Sequence, residues 1–106
     1  MTTDKFLQEI EDNFNTALDL IRAKNKDYAT QDDPFKNFNN FEKVGVPVER
    51  GILVRMMDKI TRISNLLDKE VTVKDETMTD SILDLINYAN ILKVYIDNKK
   101  SSKIFL

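Results

Sequence analysis

Two long segments of the chain repeat apolar residues at the spacing of an α-helix. They span residues 50–67 and 76–96. Because residues three and four positions apart share one face of a helix, each apolar set forms a stripe along its segment. The first stripe comprises Leu53, Met56, Ile60, Ile63 and Leu67, and the second comprises Ile82, Leu85, Ala89, Leu92 and Ile96. The pattern predicts two amphipathic helices and favours a helical fold.

Each of these helices carries a polar cluster on the side opposite its stripe. The polar residues are Arg55, Asp58 and Arg62 on the first helix and Asp80, Asp84 and Asn87 on the second. Apolar residues such as Val54 and Leu83 flank both clusters, whereas an ordinary solvated face is polar throughout. We therefore expect the two helices to line a polar site.

The composition limits the classes of protein to which the chain can belong. Its 106 residues suit one domain, residues 1–106, and two Gly and two Pro supply little turn chemistry for a β-sandwich. With no Cys and no His, disulfides, structural zinc and histidine-based triads are excluded. The net charge of −2 argues against a nucleic acid polymer as partner, and no apolar run approaches membrane-spanning length. We expect a cytoplasmic protein without a membrane partner.

The remaining segments complete the predicted fold. A first helix is expected at about residues 4–26, the second at 47–68 and the third from Asp75 or Thr77 to about Lys99. Residues 27–46 hold Pro34, Gly45 and four aromatic side chains, which indicates a loop that packs on the domain. The prediction is an all-α antiparallel bundle of three long helices with a partly ordered aromatic loop between the first and second.

The charged clusters have two interpretations each. Arg55, Asp58 and Arg62 form either a surface ion-pair ladder or a site for phosphate or carboxylate, for which Arg is better suited than Lys. Asp80 and Asp84 lie one turn apart and repel each other unless a cation lies between them. That cation is either an arginine of the second helix or Mg²⁺, which favours one or two carboxylates together with substrate phosphates.

The end of the first helix and the loop also have a structural and a functional interpretation. Lys24, Lys26 and Tyr28 are either a helix terminus with favourable cations or a contact for phosphate and base. The loop residues Phe35, Phe38 and Phe41 are expected to fill the core rather than to stack on a ligand.

Four segments in order resemble a known family. They are KNKDYA, DPFKNFNNF, RMMDKITRISNLL and DSILDLINYA, which together span about residues 24–96. The chain resembles the nucleotide-modification-associated domain family of phages and bacteria. That family is similar in turn to the all-α MazG-like nucleoside triphosphate pyrophosphatases, which hold Mg²⁺ with Glu-x-x-Glu on one helix and Glu-x-x-Asp on the next.

The resemblance implies a MazG-like fold, a nucleotide ligand and a set of site residues. Mg²⁺ would be held by Asp58, Asp84 and Asp80, while Arg55, Lys59 and Arg62 would offset phosphate charge. Asn87 and Tyr88 would contact the sugar or the base. The chain departs from the enzymes at the first acid of each motif, where Arg55 and Ser81 stand.

Three functional hypotheses follow. The chain is a nucleotide-handling protein, with Mg-dependent pyrophosphatase-like chemistry if it is an enzyme. Alternatively it binds and sequesters a nucleotide or a nucleotide-derived signal without turnover, or it is a helical interaction module that acts on a host factor. The Asn- and Ile-rich composition is typical of AT-rich phage genomes, which would place the protein in the host cytoplasm. The amount of apolar helix surface predicts a homodimer or higher homo-oligomer.

Overall fold

All regular secondary structure in the described part of the chain is helical. The computed structural model describes residues 1–28, 33–69 and 74–102. The helices are α1 (Thr3–Tyr28), α2 (Lys36–Asn39), α3 (Val48–Leu67) and α4 (Lys74–Ser102), with a 3-10 turn at Glu42–Val44. The all-α prediction is confirmed for these ranges. The expected start of the third long helix was too late, since Asp75 and Thr77 lie inside α4.

Local sequence signals explain where the helices begin. The hydroxyl of Thr2 accepts a hydrogen bond of 3.1 Å from the backbone N–H of Lys5, which caps the first turn of α1. Pro47 precedes α3 with φ −57°, a value that its ring already imposes. Gly45 adopts φ +79°, a left-handed conformation that favours glycine, and it ends the 3-10 turn.

The loop between α1 and α3 is tied together from Asp33 onward. The backbone N–H of Phe35 donates to one carboxylate oxygen of Asp33 at 3.0 Å, and the side-chain amide of Asn39 donates to the other at 2.6 Å. These bonds fix a turn at Pro34 and lead the chain into α2. They also direct Phe35 and Phe38 toward α4, where each ring meets a tyrosine.

The buried side of α3 differs from the predicted stripe. Val48 and Ile52 are fully buried, whereas Leu53, Ile60 and Leu67 are 43%, 46% and 61% exposed. The buried face of α3 is therefore shifted by about one residue from the predicted stripe. The reason is that α3 carries apolar residues on two adjacent sides, and periodicity alone cannot select the one that faces the neighbouring helix.

The polar side of α4 is buried more deeply than its predicted stripe. Asn87 and Ser81 are buried beside Leu83, while Ile82 is 42% exposed. The helix lies between α1 and α3 and contacts both of them, so its two flanks are covered. The expectation that this polar cluster is not an ordinary solvated face is therefore met at Asn87, but Asp80 is exposed.

Candidate functional site

Three helices meet at the carboxylate of Asp84. The ammonium of Lys59 on α3 lies 2.9 Å from one of its oxygens, and the ammonium of Lys24 on α1 lies 3.0 Å from the other. Asp84 is 18% exposed, Lys59 25% and Lys24 50%. This cluster joins residues far apart in sequence and carries one net positive charge.

The two lysines dominate the titration of Asp84. Burial raises the pKa of this carboxyl, but hydrogen bonds from Lys59 and Lys24 and the positive charges of both lower it by more. The net result is a pKa below the ordinary value of 3.8. Asp84 is consequently ionised throughout the neutral range and is a poor general base.

A groove opens beside this cluster, between α1, α4 and the loop that contains α2. Its volume is about 620 Å³, within the range of small-molecule sites. We call it the α1–α4 groove. Its walls come from Phe14, Ala17, Leu18, Ile21, Lys24 and Asn25 of α1, from Pro34, Phe35, Asn37 and Phe38 of the loop, and from Asp84, Asn87, Tyr88, Asn90, Ile91 and Val94 of α4.

The amide groups in the groove divide into one that is engaged and three that are not. The side-chain amide of Asn87 donates a 2.9 Å hydrogen bond to the backbone carbonyl of Ala17, which ties α4 to α1. Among the described residues, the structure records no side-chain hydrogen bond for Asn25, Asn37 or Asn90, all of which line the groove. These three amides can each donate to and accept from a polar ligand.

Three aromatic rings, those of Phe35, Phe38 and Tyr88, form one wall of the groove. The ring of Phe38 meets that of Tyr88 edge to face with centroids 6.3 Å apart, and Phe35 meets Tyr95 in the same way at 5.2 Å. The prediction that the loop phenylalanines fill the core is thus only partly met, because Phe35 and Phe38 line the groove and remain partly accessible. An apolar wall with free amides suits a flat, heteroatom-rich ligand.

The structure separates the sequence-predicted site residues into two groups. The first group, which lines the α1–α4 groove, comprises Lys24, Asp84, Asn87 and Tyr88. Lys59 is joined to this group by its ion pair with Asp84. Asp58 and Arg62 lie in a different, more open depression along α3, beside Lys69. We call this depression the α3 pocket. The single polar site expected between two helices is therefore divided.

The remaining predicted residues do not join either group. Arg55 is exposed, and its guanidinium lies 5.6 Å from the ring centre of Phe41. No ion pair links Arg55 or Arg62 to Asp80 or Asp84 within the described ranges, and Asp84 pairs with Lys24 and Lys59 instead. The side chains of Lys26 and Tyr28 lie outside the part of the chain that the structure describes.

The described residues do not fit the predicted Mg²⁺ site. Asp84 is already neutralised by two ammonium groups, which would repel a metal cation from its oxygens. Asp58 faces the α3 pocket, and Asp80 is exposed and lines neither depression. Within the described ranges no three acidic side chains come together in a way that could hold a metal ion.

Several groove residues were not anticipated from the sequence. They are Phe14, Asn25, Asn37 and Asn90, none of which is among the predicted site residues. The frequency of Asn was a usable signal, because Asn is uncommon in helix interiors and yet recurs on α1 and α4 near the aromatic loop. Which of these amides face one another depends on the path of the loop, which periodicity does not reveal.

Within the described residues, none of the helices carries an apolar stretch long enough to cross a bilayer.

The chain was compared with models of protein families, with curated proteins and with solved structures. None of the three comparisons finds a match for this chain.

Proposed function

We propose that the protein binds a nucleotide, with the base in the α1–α4 groove and an anionic group beside Lys24 and Lys59. The observation that carries the proposal is the combination of a 620 Å³ groove, an aromatic wall and free amides next to a cluster with net positive charge. Aromatic rings stack on bases, and amides read the donors and acceptors of a base edge.

Charge balance favours a small anion over a triphosphate. Lys24, Lys59 and Asp84 together carry one net positive charge, so a single phosphate group of charge about −1.5 to −2 is closer to being compensated than a chain of three. A phosphate at this position would compete with Asp84 for the lysines. We therefore propose a nucleoside monophosphate, or a nucleotide-derived signal of similar charge, as the ligand class.

Binding without turnover is the form of the hypothesis that the geometry supports best. Asp84 is held as an ion by its lysines, and among the described residues that line the groove it is the only carboxylate. The resemblance to MazG-like pyrophosphatases supports the competing proposal, in which the fold is MazG-like and a triphosphate is hydrolysed. Release of pyrophosphate from any nucleoside triphosphate with Mg²⁺ would favour that proposal.

A thermal-shift panel of nucleosides, monophosphates and triphosphates tests the proposal. A ligand at about 100 times its dissociation constant stabilises the folded state by roughly 2.7 kcal/mol. We expect at least one monophosphate to raise the melting temperature more than its triphosphate does. A flat response across the panel would contradict nucleotide binding altogether.

Two variants locate the ligand. Lys24→Met removes an ammonium at the groove, and Arg62→Met removes a cation at the α3 pocket as a matched control. Loss of a hydrogen bond between an ammonium and a phosphate costs about 1.5–3 kcal/mol, or roughly a 10- to 150-fold weaker affinity. We expect this loss for Lys24→Met alone. A loss confined to Arg62→Met would instead place the ligand in the α3 pocket.

A further inference from the structure

One side of α3 carries an apolar stripe that is exposed in the structure, and it shares Leu53, Ile60 and Leu67 with the stripe predicted from the sequence. The exposed stripe comprises Leu53, Met57, Ile60, Ser64 and Leu67, and its four apolar members are 43–61% exposed. The spacing of four, three, four and three residues is that of a coiled-coil seam. We call this stripe the α3 seam.

The seam lies to one side of the face that α3 turns toward α4. Ile52 and Lys59 mark the inner face, through burial and through the ion pair with Asp84. At 100° per residue, the seam is rotated by roughly 110° from that face. Scattered exposed apolar residues are normal, but a continuous stripe along a helix is typical of an interaction surface.

Charges at the two ends of the seam indicate what covers it. Arg50 and Asp68 both lie on the flank of the seam, about five helical turns apart, and both are exposed. If two α3 helices paired in parallel, both Arg50 side chains would lie at one end of the pair and both Asp68 side chains at the other, so like charges would lie together. In antiparallel pairing each arginine instead approaches the partner's aspartate, twice by symmetry. The seam is therefore complementary to itself in one direction only.

We propose that the α3 seam is a homodimer interface in which two α3 helices pack antiparallel about a two-fold axis. Alternating layers of an antiparallel pair place Met57 against the partner's Ile60 and Leu53 against the partner's Ser64. The same register sets the stem of Arg50 on the partner's Leu67, with its guanidinium next to the partner's Asp68. The small Ser64 leaves room for the larger leucine.

Sedimentation equilibrium of the full chain tests the interface. We expect the wild type to be a dimer. Ile60→Glu should raise the dissociation constant of the dimer by about tenfold or more, because a carboxylate would enter the apolar layer. Ile60 is 46% exposed in the single chain, so the variant should keep its helical circular dichroism. Arg62→Glu changes a charge on the far side of the same helix and should leave the dimer unchanged. A monomeric wild type, or equal weakening by both variants, would overturn the proposal.

Charge reversal tests the direction of packing. Arg50→Glu and Asp68→Lys should each raise the dissociation constant of the dimer by roughly three- to tenfold, because each variant disrupts two symmetric ion pairs. The double variant should restore it, since the same pairs form with exchanged signs. Additive weakening in the double variant would overturn the antiparallel register.

Crosslinking provides an independent test, because the chain contains no cysteine. A mixture of Leu53→Cys and Ser64→Cys chains should form the mixed disulfide in the antiparallel dimer. Neither variant should crosslink efficiently by itself. Efficient crosslinking of Leu53→Cys alone would indicate parallel packing and would contradict the proposal.

Discussion

The ammonium of Lys59 lies 2.9 Å from the carboxylate of Asp84 and joins the middle of α3 to α4. A second lysine, Lys24, reaches the same carboxylate from α1 at 3.0 Å but is half exposed to solvent. The two contacts have similar lengths and different surroundings. Because solvent screens exposed ion pairs, the lysines should contribute unequally to stability.

The first prediction concerns that inequality. Lys59→Met should lower the free energy of unfolding by about 1 kcal/mol or more, because it removes a charged hydrogen bond in a partly buried cluster. Lys24→Met should cost less than about 0.5 kcal/mol, as expected for an exposed pair. Urea denaturation of both variants measures the difference. Equal losses would show that the exposure of Lys24 does not weaken its contact.

The second prediction is the pH dependence that Asp84 supplies. Its folded-state pKa is lowered, so its contribution is fully present above the ordinary value of 3.8 and is lost as the pH falls through the folded value. We expect Asp84→Asn to reduce stability by about 1–2 kcal/mol at neutral pH. The difference in stability between wild type and variant should shrink below about pH 4.

Denaturation at a series of pH values measures this difference, because the other carboxylates titrate equally in both proteins and cancel. A difference that stays constant down to pH 2 would contradict the assigned cluster.

The helical class and the approximate bounds of the long helices were predictable from sequence, whereas helix rotation was not. Spacing identified an apolar stripe at Leu53 and Ile60, but the neighbouring side of α3, at Val48 and Ile52, is the one that is buried. Propensity and periodicity are local, while the choice between two apolar sides depends on the position of the partner helix.

The candidate site was predictable to a similar extent. Asp84 and Asn87 were identified because a polar cluster among apolar residues is unusual on a solvated helix, whereas Tyr88 was identified only through the family resemblance. The cations beside Asp84 were not identified, since the sequence indicated either an arginine of the second helix or Mg²⁺, and the structure brings lysines from α1 and α3. Contacts over such separations in sequence are fixed by tertiary packing, which the local spacing of residues does not reveal.

The third prediction tests how the aromatic loop packs against α3. At Gly51 an added Cβ would lie 2.3 Å from a ring carbon of Phe41, too close for any contact between carbons. In most helices Gly→Ala stabilises by about 0.5–1 kcal/mol. Here Gly51→Ala should destabilise by about 1–3 kcal/mol, because the ring must leave its position. Thermal or urea denaturation shows the sign directly.

A double-mutant cycle identifies the cause. Phe41→Ala removes the ring and costs packing, but in that background Gly51→Ala should lose its penalty and regain the ordinary helical benefit. If the penalty persists without the ring, the clash with Phe41 is not its source.

The fourth prediction separates a structural amide from free ones. Asn87→Ala removes the bond to the Ala17 carbonyl and should lower stability by about 1–2 kcal/mol. Asn90→Ala should change stability by less than about 0.5 kcal/mol, since Asn90 is exposed and holds no side-chain bond in the described structure. Both residues line the groove. Reduced nucleotide affinity in Asn90→Ala with unchanged stability would support a contact with the ligand.

The final prediction concerns metal dependence. The three aspartates expected to hold Mg²⁺ are divided, with Asp84 at the groove, Asp58 at the α3 pocket and Asp80 exposed. If lysines rather than a metal compensate the phosphate, the thermal shift produced by a monophosphate should be the same in EDTA and in Mg²⁺. Asp58→Asn should leave that shift unchanged, because Asp58 does not line the groove. Lys24→Met should remove most of it in either buffer. A thermal shift that appears only with Mg²⁺ and disappears in Asp58→Asn would contradict this prediction. It would indicate that ligand binding brings the aspartates together, and it would support the metal-dependent hypothesis that the family resemblance implies.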